Sequence, residues 1–494
     1  MTTVVAGLAT GPVKLKAVTD LVDKLTDDLE RATLLPQACS ERNNALEDLK
    51  IYSRDPRDAD PIFTKNQGIS MLLRHAFHSP CTGTVQAALR VLANAMLLKP
   101  ETRQMFVDER FPPKASSELA TDNWDNEFLI SRILFLSTYG TDINLLELID
   151  NYQLADHIVQ NLKRHVEALS GRAKTKAEPM EEMALEETLK LMFNVTHFCK
   201  AKVSSFTPGV AHAVALLWKQ DIMSDRPLDP PFGPLVNALL NLDLEADESL
   251  ATLYPNSDAT RVSARLIELA GKSMVAYNDS ELETTVTPLI SLTGKIYENA
   301  PETVRQHLRE SLLPTAEDRQ DVLGRGRSLS SKLLTNSINP MAPALRNAIS
   351  HLLFDLSDRD ASKFVENVGY GFASGFLFQN NVPIPASATE PFNARDTSRI
   401  QKPVNPTTGQ FLDRELAVDV PEMTPEEKER EAERLFVLFE RYGLAWMPLH
   451  NRLKSDVSPR LRNTGVVDVQ NPIERAVQEG RFQELDDNEV EHLS

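Results

Sequence analysis

Apolar residues recur every three or four positions along most of the chain, which is the spacing of one face of an α-helix. Near the N-terminus, Val18, Val22 and Leu25 follow this spacing. Asp20 and Asp27 fall on the opposite face. Glycine is scarce at 19 residues, and many of the 30 prolines stand where a helical pattern begins or ends. The pattern therefore predicts an all-α protein.

A short motif, in which two apolar residues precede an asparagine, recurs along the chain. It occurs in "ALRVLANAM", "TLKLMFNVT" and "LVNALLNLD", with the asparagine at Asn94, Asn194 and Asn241. Related segments place Thr138 and Gly294 at the same point, so the five marked positions are separated by 44, 56, 47 and 53 residues. Armadillo and HEAT repeats have a period of about 40–47 residues. We therefore predict an armadillo/HEAT-like helical-repeat solenoid, with a non-repetitive helical bundle as the alternative.

The helical pattern stops after about Phe378, and we divide the chain into three regions on this basis. Residues 1–380 are predicted to form the armadillo-like repeat domain. Residues 381–420 are rich in Pro, Asn, Ala, Ser and Thr, which indicates a flexible linker. Residues 421–494 are predicted to contain a C-terminal helix and an acidic tail.

The predicted C-terminal helix has a clear start and one apolar face. Thr424 is a suitable N-cap, and Glu427 stands three residues later, as in a capping box. A short helix with one apolar face is not stable alone in water, so we expect it to pack on the repeats or on a partner. The apolar residues predicted to bind are Leu435, Phe436, Leu438 and Phe439.

The charge balance is strongly acidic, with 53 Lys and Arg against 71 Asp and Glu and a formal net charge of −18. Nucleic-acid binding relies on Lys and Arg to neutralise phosphates, so this balance argues against it. The first twenty residues lack a signal-peptide pattern, and no stretch of eighteen apolar residues occurs. We expect a cytoplasmic protein that does not insert into membranes.

The cysteines and histidines give no metal-binding pattern. Cys39, Cys81 and Cys199 are far apart and form no CxxC pair, so we expect reduced and mostly buried thiols. His75 and His78 are three residues apart, a spacing that could bind a metal, but no third ligand is in view. We expect no metal and no cofactor.

No motif of a group-transfer enzyme is present. Gly271-Lys272-Ser273 is the nearest match to a phosphate-binding loop, but Leu266 stands where the first glycine is required. The glycines of "GYGFASG", residues 369–375, have the wrong spacing for a dinucleotide-binding turn. No Gly-x-Ser-x-Gly nucleophile motif occurs. The sequence therefore favours a binding protein without catalytic residues.

Several segments, in order, resemble the synembryn family over most of residues 45–442. "LRNAISHLLFDLSDRDASKFVENVGYGFASGFL" is similar to the family's last repeat. "NPTTG" and "MTPEEKEREAERLFVLFERY" match the segments expected after it. The earlier segments that carry the resemblance are "IYSRDPR", "ALRVLANAM", "TLKLMFNVTH" and "VTPLISLTGKIYENAPETVRQHLRESLLP".

This resemblance implies a chaperone and guanine-nucleotide exchange factor for heterotrimeric G-protein α subunits. We expect such a protein to be monomeric, to bind a GDP-bound or nucleotide-free α subunit, and to reach the inner face of the plasma membrane through that partner. The resemblance implies that the concave face of the solenoid binds the C-terminal helix of the α subunit. The C-terminal segments would then contact the GTPase domain near its switch regions.

The sequence departs from the family in two places. Animal members carry an acidic, phosphorylatable stretch before the "NPTTG" motif, whereas this chain has few acids there, so the resemblance does not extend to phosphorylation control. Residues 442–462, "YGLAWMPLHNRLKSDVSPRLR", do not resemble the family and are interpreted as an insertion.

Armadillo-type repeats commonly turn an asparagine of their third helix toward the groove. We therefore predict that Arg90, Asn94, Asn194 and Asn241 contact the partner. The alternative is that each asparagine satisfies the backbone of the adjacent repeat. For the whole protein, the alternative function is an armadillo-type adaptor or transport carrier that binds peptides without changing nucleotide exchange. An unrecognised hydrolase is a third hypothesis.

Overall fold

Helices account for nearly all of the regular structure in the computed structural model, which describes residues 10–30, 36–171, 178–395, 401–415 and 430. The first ten are α1 (Gly11–Glu30), α2 (Pro36–Ser53), α3 (Ser70–His78), α4 (Thr82–Leu98), α5 (Glu101–Asp108), α6 (Pro112–Glu118), α7 (Trp124–Ser137), α8 (Leu145–Tyr152), α9 (Leu154–Gly171) and α10 (Pro179–Phe198). The next eleven are α11 (Thr207–Lys219), α12 (Phe232–Asn241), α13 (Asp247–Leu253), α14 (Arg261–Ala276), α15 (Asp279–Thr285), α16 (Thr287–Glu298), α17 (Glu302–Leu312), α18 (Leu329–Asn336), α19 (Pro343–Leu356), α20 (Ala361–Val368) and α21 (Tyr370–Gln379). The predicted all-α helical-repeat solenoid is confirmed.

One helix from each repeat packs on the corresponding helix of the next repeat. We call this row the ladder helices; it consists of α2, α4, α7, α10, α12, α16 and α19. The five inner ladder helices have a ladder neighbour on each side, so they bury apolar residues over a wide part of their circumference. In α10, for example, Leu185, Leu189, Met192 and Val195 are all buried. Stacking of this kind buries apolar faces that a single repeat cannot bury.

A second row packs behind the ladder helices. It runs from α9 to α11 and α14, and then to α17 and α18. Each of the first three outer helices also contacts a ladder helix: α9 packs on α10, α11 on α12, and α14 on α16. The described part of the chain is therefore a two-layered stack of helices.

Side-chain caps mark where several helices begin. Asn123 accepts the N–H of Asn126 at the start of α7, and Asn144 caps α8 in the same way. Asn278 and Glu281 form a reciprocal capping box at the start of α15. These contacts satisfy N–H groups that the helix itself leaves without a partner, so short polar residues before an apolar run determine where these helices start.

Residues after α21 turn back onto the last repeats. Strands β1 (Phe392–Arg395) and β2 (Gln401–Val404) pair antiparallel, with Phe392 opposite Val404. The next residues, Asn405–Phe411, which we call the clasp segment, bond to the start of α21. The N–H of Tyr370 donates to Pro406 O at 2.7 Å, and that of Gly371 to Thr407 O at 3.0 Å.

The clasp segment also bonds to the loop before α18. The N–H of Leu323 donates to Thr408 O at 3.2 Å, and that of Phe411 donates to Arg319 O at 3.0 Å. The buried Arg319 guanidinium returns a bond to Gly409 O at 2.8 Å. Residues 401–411, within the linker that the sequence predicts over 381–420, thus make specific backbone bonds, and the flexibility of that linker stays a prediction. The physical reason for these bonds is that the first N–H groups of α21 need acceptors, and the clasp segment supplies them.

Candidate functional site

Arg90 and Asn94 lie one turn apart on α4, as the helical spacing predicts. The Arg90 guanidinium donates to Asp125 Oδ1 of α7 at 2.7 Å and lies 3.9 Å from Glu47 Oε1 of α2. The Asn94 amide donates to Ser53 Oγ at 3.1 Å. Both side chains remain partly exposed, so they stand at the surface of the ladder helices while bridging neighbouring repeats.

Asn194 and Asn241 also face the preceding repeat. Asn194 is only 2% exposed, and its amide donates to Thr138 Oγ1 at 2.7 Å. The Asn241 amide donates to Phe193 O at 3.2 Å. The amides of Asn94, Asn194 and Asn241 therefore all tie one ladder helix to the preceding repeat. This geometry favours the alternative in which the asparagines satisfy the adjacent repeat; their contact with a partner stays a prediction.

An exposed group of aromatic rings lies beside Asn194, at the C-terminal ends of α7 and α10. We call Phe135, Tyr139, Phe193, His197 and Phe198 the aromatic cluster. Tyr139 is 41% and Phe198 53% exposed, and their ring centroids are 6.3 Å apart with nearly perpendicular planes. His197 stacks on Phe193 at 6.0 Å. Contiguous exposed aromatic surface is characteristic of sites that bind other proteins.

The aromatic cluster is not among the residues predicted from the sequence, although a signal for it is present. Phe193 and His197 are neighbours of Asn194 in "MFNVTHF", and Tyr139 directly follows the marked position Thr138. Aromatic residues thus accompany the repeat motif at positions that the apolar core pattern does not require. Apolar residues that fall outside the core stripe are the signal that could have identified them.

A cavity of about 500 Å³ adjoins the aromatic cluster. Tyr139, Ile143, Leu146 and Phe198 provide much of its apolar lining, and Leu146 is itself exposed. Its volume is within the range that suits a bound side chain or small ligand. The cavity therefore extends the apolar surface of the cluster into a recess.

Cations on the ladder helices lie near this apolar surface, although the chain as a whole is acidic. Arg132 of α7 donates to Glu187 at 3.3 Å and lies 5.6 Å over the Phe128 ring. Lys190 of α10 is 2.7 Å from Glu186. Each cation already has a carboxylate, so an acidic partner would have to exchange ion pairs. Such exchange contributes more to orientation than to affinity.

A buried carboxylate near the start of α7 holds the two layers together. Glu127 of α7 accepts from Thr188 Oγ1 at 2.6 Å, lies 3.0 Å from His165 Nε2, and pairs with Arg164. Burial by itself raises the pKa of Glu127, but the bonds from His165 and Thr188 and the charge of Arg164 outweigh it, so the pKa lies below its usual value. Trp124 covers the site, with the Arg164 guanidinium 3.7 Å from its ring.

A second apolar recess, of about 220 Å³, lies on the outer helices. Trp218 of α11 is 42% exposed, and the Arg261 guanidinium of α14 covers its ring at 4.1 Å. This recess belongs to the outer row and not to the ladder helices, so it provides a comparison surface for experiments on the aromatic cluster.

Neither a metal site nor a membrane-spanning helix occurs in the part of the chain that the structure describes. No group of three or more His, Cys, Asp or Glu side chains there could hold a metal ion. His75, considered as a ligand from the sequence, is buried and bonds Leu25 O at 3.1 Å. No helix among residues 10–30, 36–171, 178–395 and 401–415 has the length and apolar character needed to cross a membrane.

The predicted C-terminal helix and the proposed insertion at 442–462 lie outside the described residues, apart from Arg430. The same is true of the four residues predicted to bind through that helix, which are Leu435, Phe436, Leu438 and Phe439.

The stacked rows of helices and the exposed aromatic surface define a helical-repeat protein of the kind that binds other proteins. Comparison with known families is specific: the family described as guanine nucleotide exchange factor synembryn matches residues 45–481. The chain belongs to the synembryn family.

Individual relatives agree with this assignment. A synembryn-like chaperone of Schizosaccharomyces pombe is 26% identical over 389 residues, which cover 74% of this chain and 68% of that protein. Chaperone Ric-8A of Macaca fascicularis is 25% identical over 440 residues, or 81% of each chain. Chaperone Ric-8A of Gallus gallus is 23% identical over 450 residues, or 80% of each chain.

Proposed function

We propose that this protein is a guanine-nucleotide exchange factor and folding chaperone for heterotrimeric G-protein α subunits. The family match over residues 45–481 is the observation that carries this proposal. The relatives named as chaperones support the second activity. The protein makes and breaks no covalent bond in this activity; it acts on the nucleotide affinity of its partner.

Exchange follows from differential binding. A protein that binds the nucleotide-free α subunit more tightly than the GDP-bound form weakens GDP binding by the same factor. A coupling of about 1–3 kcal/mol corresponds to a change of about 5–150-fold in affinity. GTP with Mg²⁺ then rebinds and releases the exchange factor. The same preference for an open α subunit protects a folding intermediate, which accounts for a chaperone role.

The aromatic cluster is the surface that we assign to the C-terminal helix of the α subunit. An amphipathic helix buries its apolar face in a groove and is recognised through residues one turn apart. Tyr139 and Phe198 present apolar area that carries little rotamer entropy, and aromatic residues dominate binding energy at such interfaces. Arg132 and Lys190 lie on α7 and α10, and Arg90 lies on the adjacent ladder helix α4. These cations would orient a helix that carries acidic groups.

The C-terminal region supplies the second contact in this proposal. Leu435, Phe436, Leu438 and Phe439 would bury their shared face against the GTPase domain, so that the repeats hold one end of the α subunit while the C-terminal helix acts near the nucleotide. The protein would work as a monomer in the cytoplasm and reach the membrane only with its partner.

Substitution of the aromatic cluster tests this surface. Tyr139→Ala with Phe198→Ala should weaken binding of a peptide from the C-terminus of the α subunit at least tenfold, measured by fluorescence anisotropy. Trp218→Ala is the matched control, because its ring is exposed to the same extent as Tyr139 but lies on the outer helices. Equal peptide affinity in the wild type and both variants would place the peptide elsewhere.

An armadillo-type adaptor is the second candidate function. An adaptor would bind the same peptide through the same aromatic rings, so peptide affinity alone does not separate the two. The rate at which GDP leaves the α subunit separates the two functions, because only an exchange factor changes it.

A further inference from the structure

Two of the three cysteines, 42 residues apart in the sequence (81 − 39), meet in the fold. Cys39 lies in the first turn of α2, and Cys81 is the residue that precedes α4. Thr84 of α4 bonds Asn43 of α2, and Asn94 of α4 bonds Ser53 at the end of α2, with 41 residues between the partners each time. This register of α2 on α4 places the Cys39 thiol beside Cys81. Both side chains are partly exposed and not buried as the sequence predicts, so small solutes can reach them.

Polar contacts other than the thiols hold these two helix ends together. Asn43, one turn after Cys39, accepts the Thr84 hydroxyl proton at 2.6 Å. The Asn43 amide nitrogen also lies so close to Gly83 that a Cβ there would be 2.7 Å from it. The contact between Cys39 and Cys81 is therefore imposed by the packing of α2 on α4.

The surroundings of the two sulfurs differ, which assigns them different roles. Cys81 is the N-cap of α4, where free N–H groups favour a negative charge. The nearby polar groups of Thr84, followed by the Cys39 thiol and the Gly83 N–H, favour the thiolate and lower the pKa of Cys81 to about 7. The neighbouring Cys81 sulfur raises the pKa of the Cys39 thiol. Cys81 is thus the better nucleophile, and Cys39 is placed to react with it second.

We propose that Cys39 and Cys81 form a redox modification site, which closes to a reversible disulfide when the protein meets a peroxide. This site is separate from the partner-binding function proposed above. The structure describes all three cysteines as free, which is the reduced state of the site.

The reaction balances with hydrogen peroxide as the oxidant. The Cys81 thiolate attacks one peroxide oxygen, the O–O bond breaks, and hydroxide leaves, which gives Cys81 sulfenic acid. The Cys39 sulfur then attacks the Cys81 sulfur: the S–S bond forms, the S–O bond breaks, and water leaves with the Cys39 proton. Two thiols and one hydrogen peroxide give one disulfide and two waters. A dithiol reverses the step by thiol–disulfide exchange.

A disulfide here would join α2 covalently to α4, the first two ladder helices. Before oxidation, the polar contacts around Asn43 hold these helices, and such contacts open and close by local unfolding. The covalent bond removes those openings. We therefore expect slower backbone hydrogen exchange in α2 after oxidation and recovery of the original rate after reduction.

Peptide mapping of the full-length protein tests the site. After hydrogen peroxide treatment and alkylation of the remaining thiols, a non-reducing digest should contain the Cys39 peptide linked to the Cys81 peptide. Dithiothreitol should remove the link. Cys199→Ala is the matched control and should form the link to the same extent. Cys39→Ser should abolish the link and leave a Cys81 sulfenic acid that dimedone captures.

Three results would overturn the proposal. The first is full alkylation of both cysteines after peroxide treatment of the wild-type protein. The second is a link from either cysteine to Cys199. The third is a link that forms only between chains, which a mixture of isotopically light and heavy protein reveals as mixed pairs. Each of these results is measured with the wild-type sequence, so the conclusion does not depend on whether a variant folds.

Discussion

The amide of Asn194 on α10 donates a 2.7 Å hydrogen bond to the Thr138 hydroxyl at the end of α7. Both residues occupy the position that marks the repeat in the sequence, so the motif of one repeat binds the motif of the previous one. The Asn241 amide continues the pattern by bonding Phe193 O, next to Asn194. The repeated asparagine is therefore a connection between repeats, and the partner surface that we propose lies on the aromatic rings beside it.

Alanine substitutions at two of these asparagines should show that the buried hydrogen bond contributes more to stability than the partly exposed one. Asn194→Ala removes a buried donor and leaves the Thr138 hydroxyl without it, which should cost about 1–3 kcal/mol of unfolding free energy. Asn94→Ala removes a bond at a partly exposed site and should cost less than about 1 kcal/mol. Urea titration followed by circular dichroism measures both. Equal losses at the two positions would contradict the assigned role.

The buried carboxylate of Glu127 should make the protein sensitive to acid. Its pKa in the folded protein lies below its usual value, so its contribution to stability is fully present above the unfolded pKa of about 4.3. That contribution is lost as the pH falls through the folded pKa. Glu127→Gln should be less stable at pH 7 and should show a weaker loss of stability on acidification below pH 5 than the wild type.

The control for this substitution is Glu118→Gln. Glu118 pairs with Lys114 on the surface of α6, with both side chains almost half exposed, so its removal should cost at most about 1 kcal/mol. Melting temperatures recorded from pH 7 to pH 4 measure all three proteins. Parallel curves for the wild type and Glu127→Gln would show that the buried network does not control acid stability.

The clasp segment should depend on Gly409. This residue has a φ of +69°, and a Cβ there would overlap the Leu323 side chain. Gly409→Ala should therefore displace the segment and cost about 1–3 kcal/mol. Gly375→Ala is the control: it lies inside α21, and a Cβ at this position would meet no neighbouring atom within 4 Å, so alanine should stabilise the helix by up to about 1 kcal/mol.

Limited proteolysis tests directly whether the contacts of the clasp segment hold it in place. In the wild type, the backbone of residues 405–411 is bonded to α21 and to the loop before α18, which should slow cleavage there. Gly409→Ala should be cut several times faster within this segment, while Gly375→Ala should match the wild type. Cleavage at the same rate in all three proteins would mean that the contacts of the clasp segment do not restrain it in solution.

We propose that the repeats bind the α subunit and that the C-terminal helix promotes GDP release, and this predicts the effect of a truncation. Removal of all residues after about 420 takes away Leu435, Phe436, Leu438 and Phe439 and leaves the ladder helices and the clasp segment intact. With the truncated protein, the C-terminal peptide of the α subunit should bind with unchanged affinity, and GDP should leave the α subunit at least tenfold more slowly than with the full chain. Full exchange activity would place the whole function in the repeats.

The helical repeat could be predicted from the sequence because its signal is local and recurs. Asn94, Asn194 and Asn241 all lie on ladder helices, and Gly294 lies on another, α16. The direction of each amide could not be predicted in the same way. It depends on which polar group the neighbouring repeat presents, such as the Thr138 hydroxyl or Phe193 O, and that is determined by packing across the interface.

The contacts of the clasp segment could not be predicted for a similar reason. Its composition is that of a linker, without helical or strand periodicity. Its bonds run to N–H groups of Tyr370 and Gly371 and to Leu323, which are brought near it only by the fold. The aromatic cluster could be predicted in part. Its residues accompany the repeat motif in the sequence, but only the structure shows that Tyr139 and Phe198 remain exposed.

Release of labelled GDP from a purified G-protein α subunit tests the central claim most directly. The full chain, added at increasing concentration, should accelerate the release of GDP until the α subunit is saturated, and addition of GTP with Mg²⁺ should dissociate the complex. A complex that forms and leaves the rate of GDP release unchanged would contradict the exchange function and identify the protein as an adaptor.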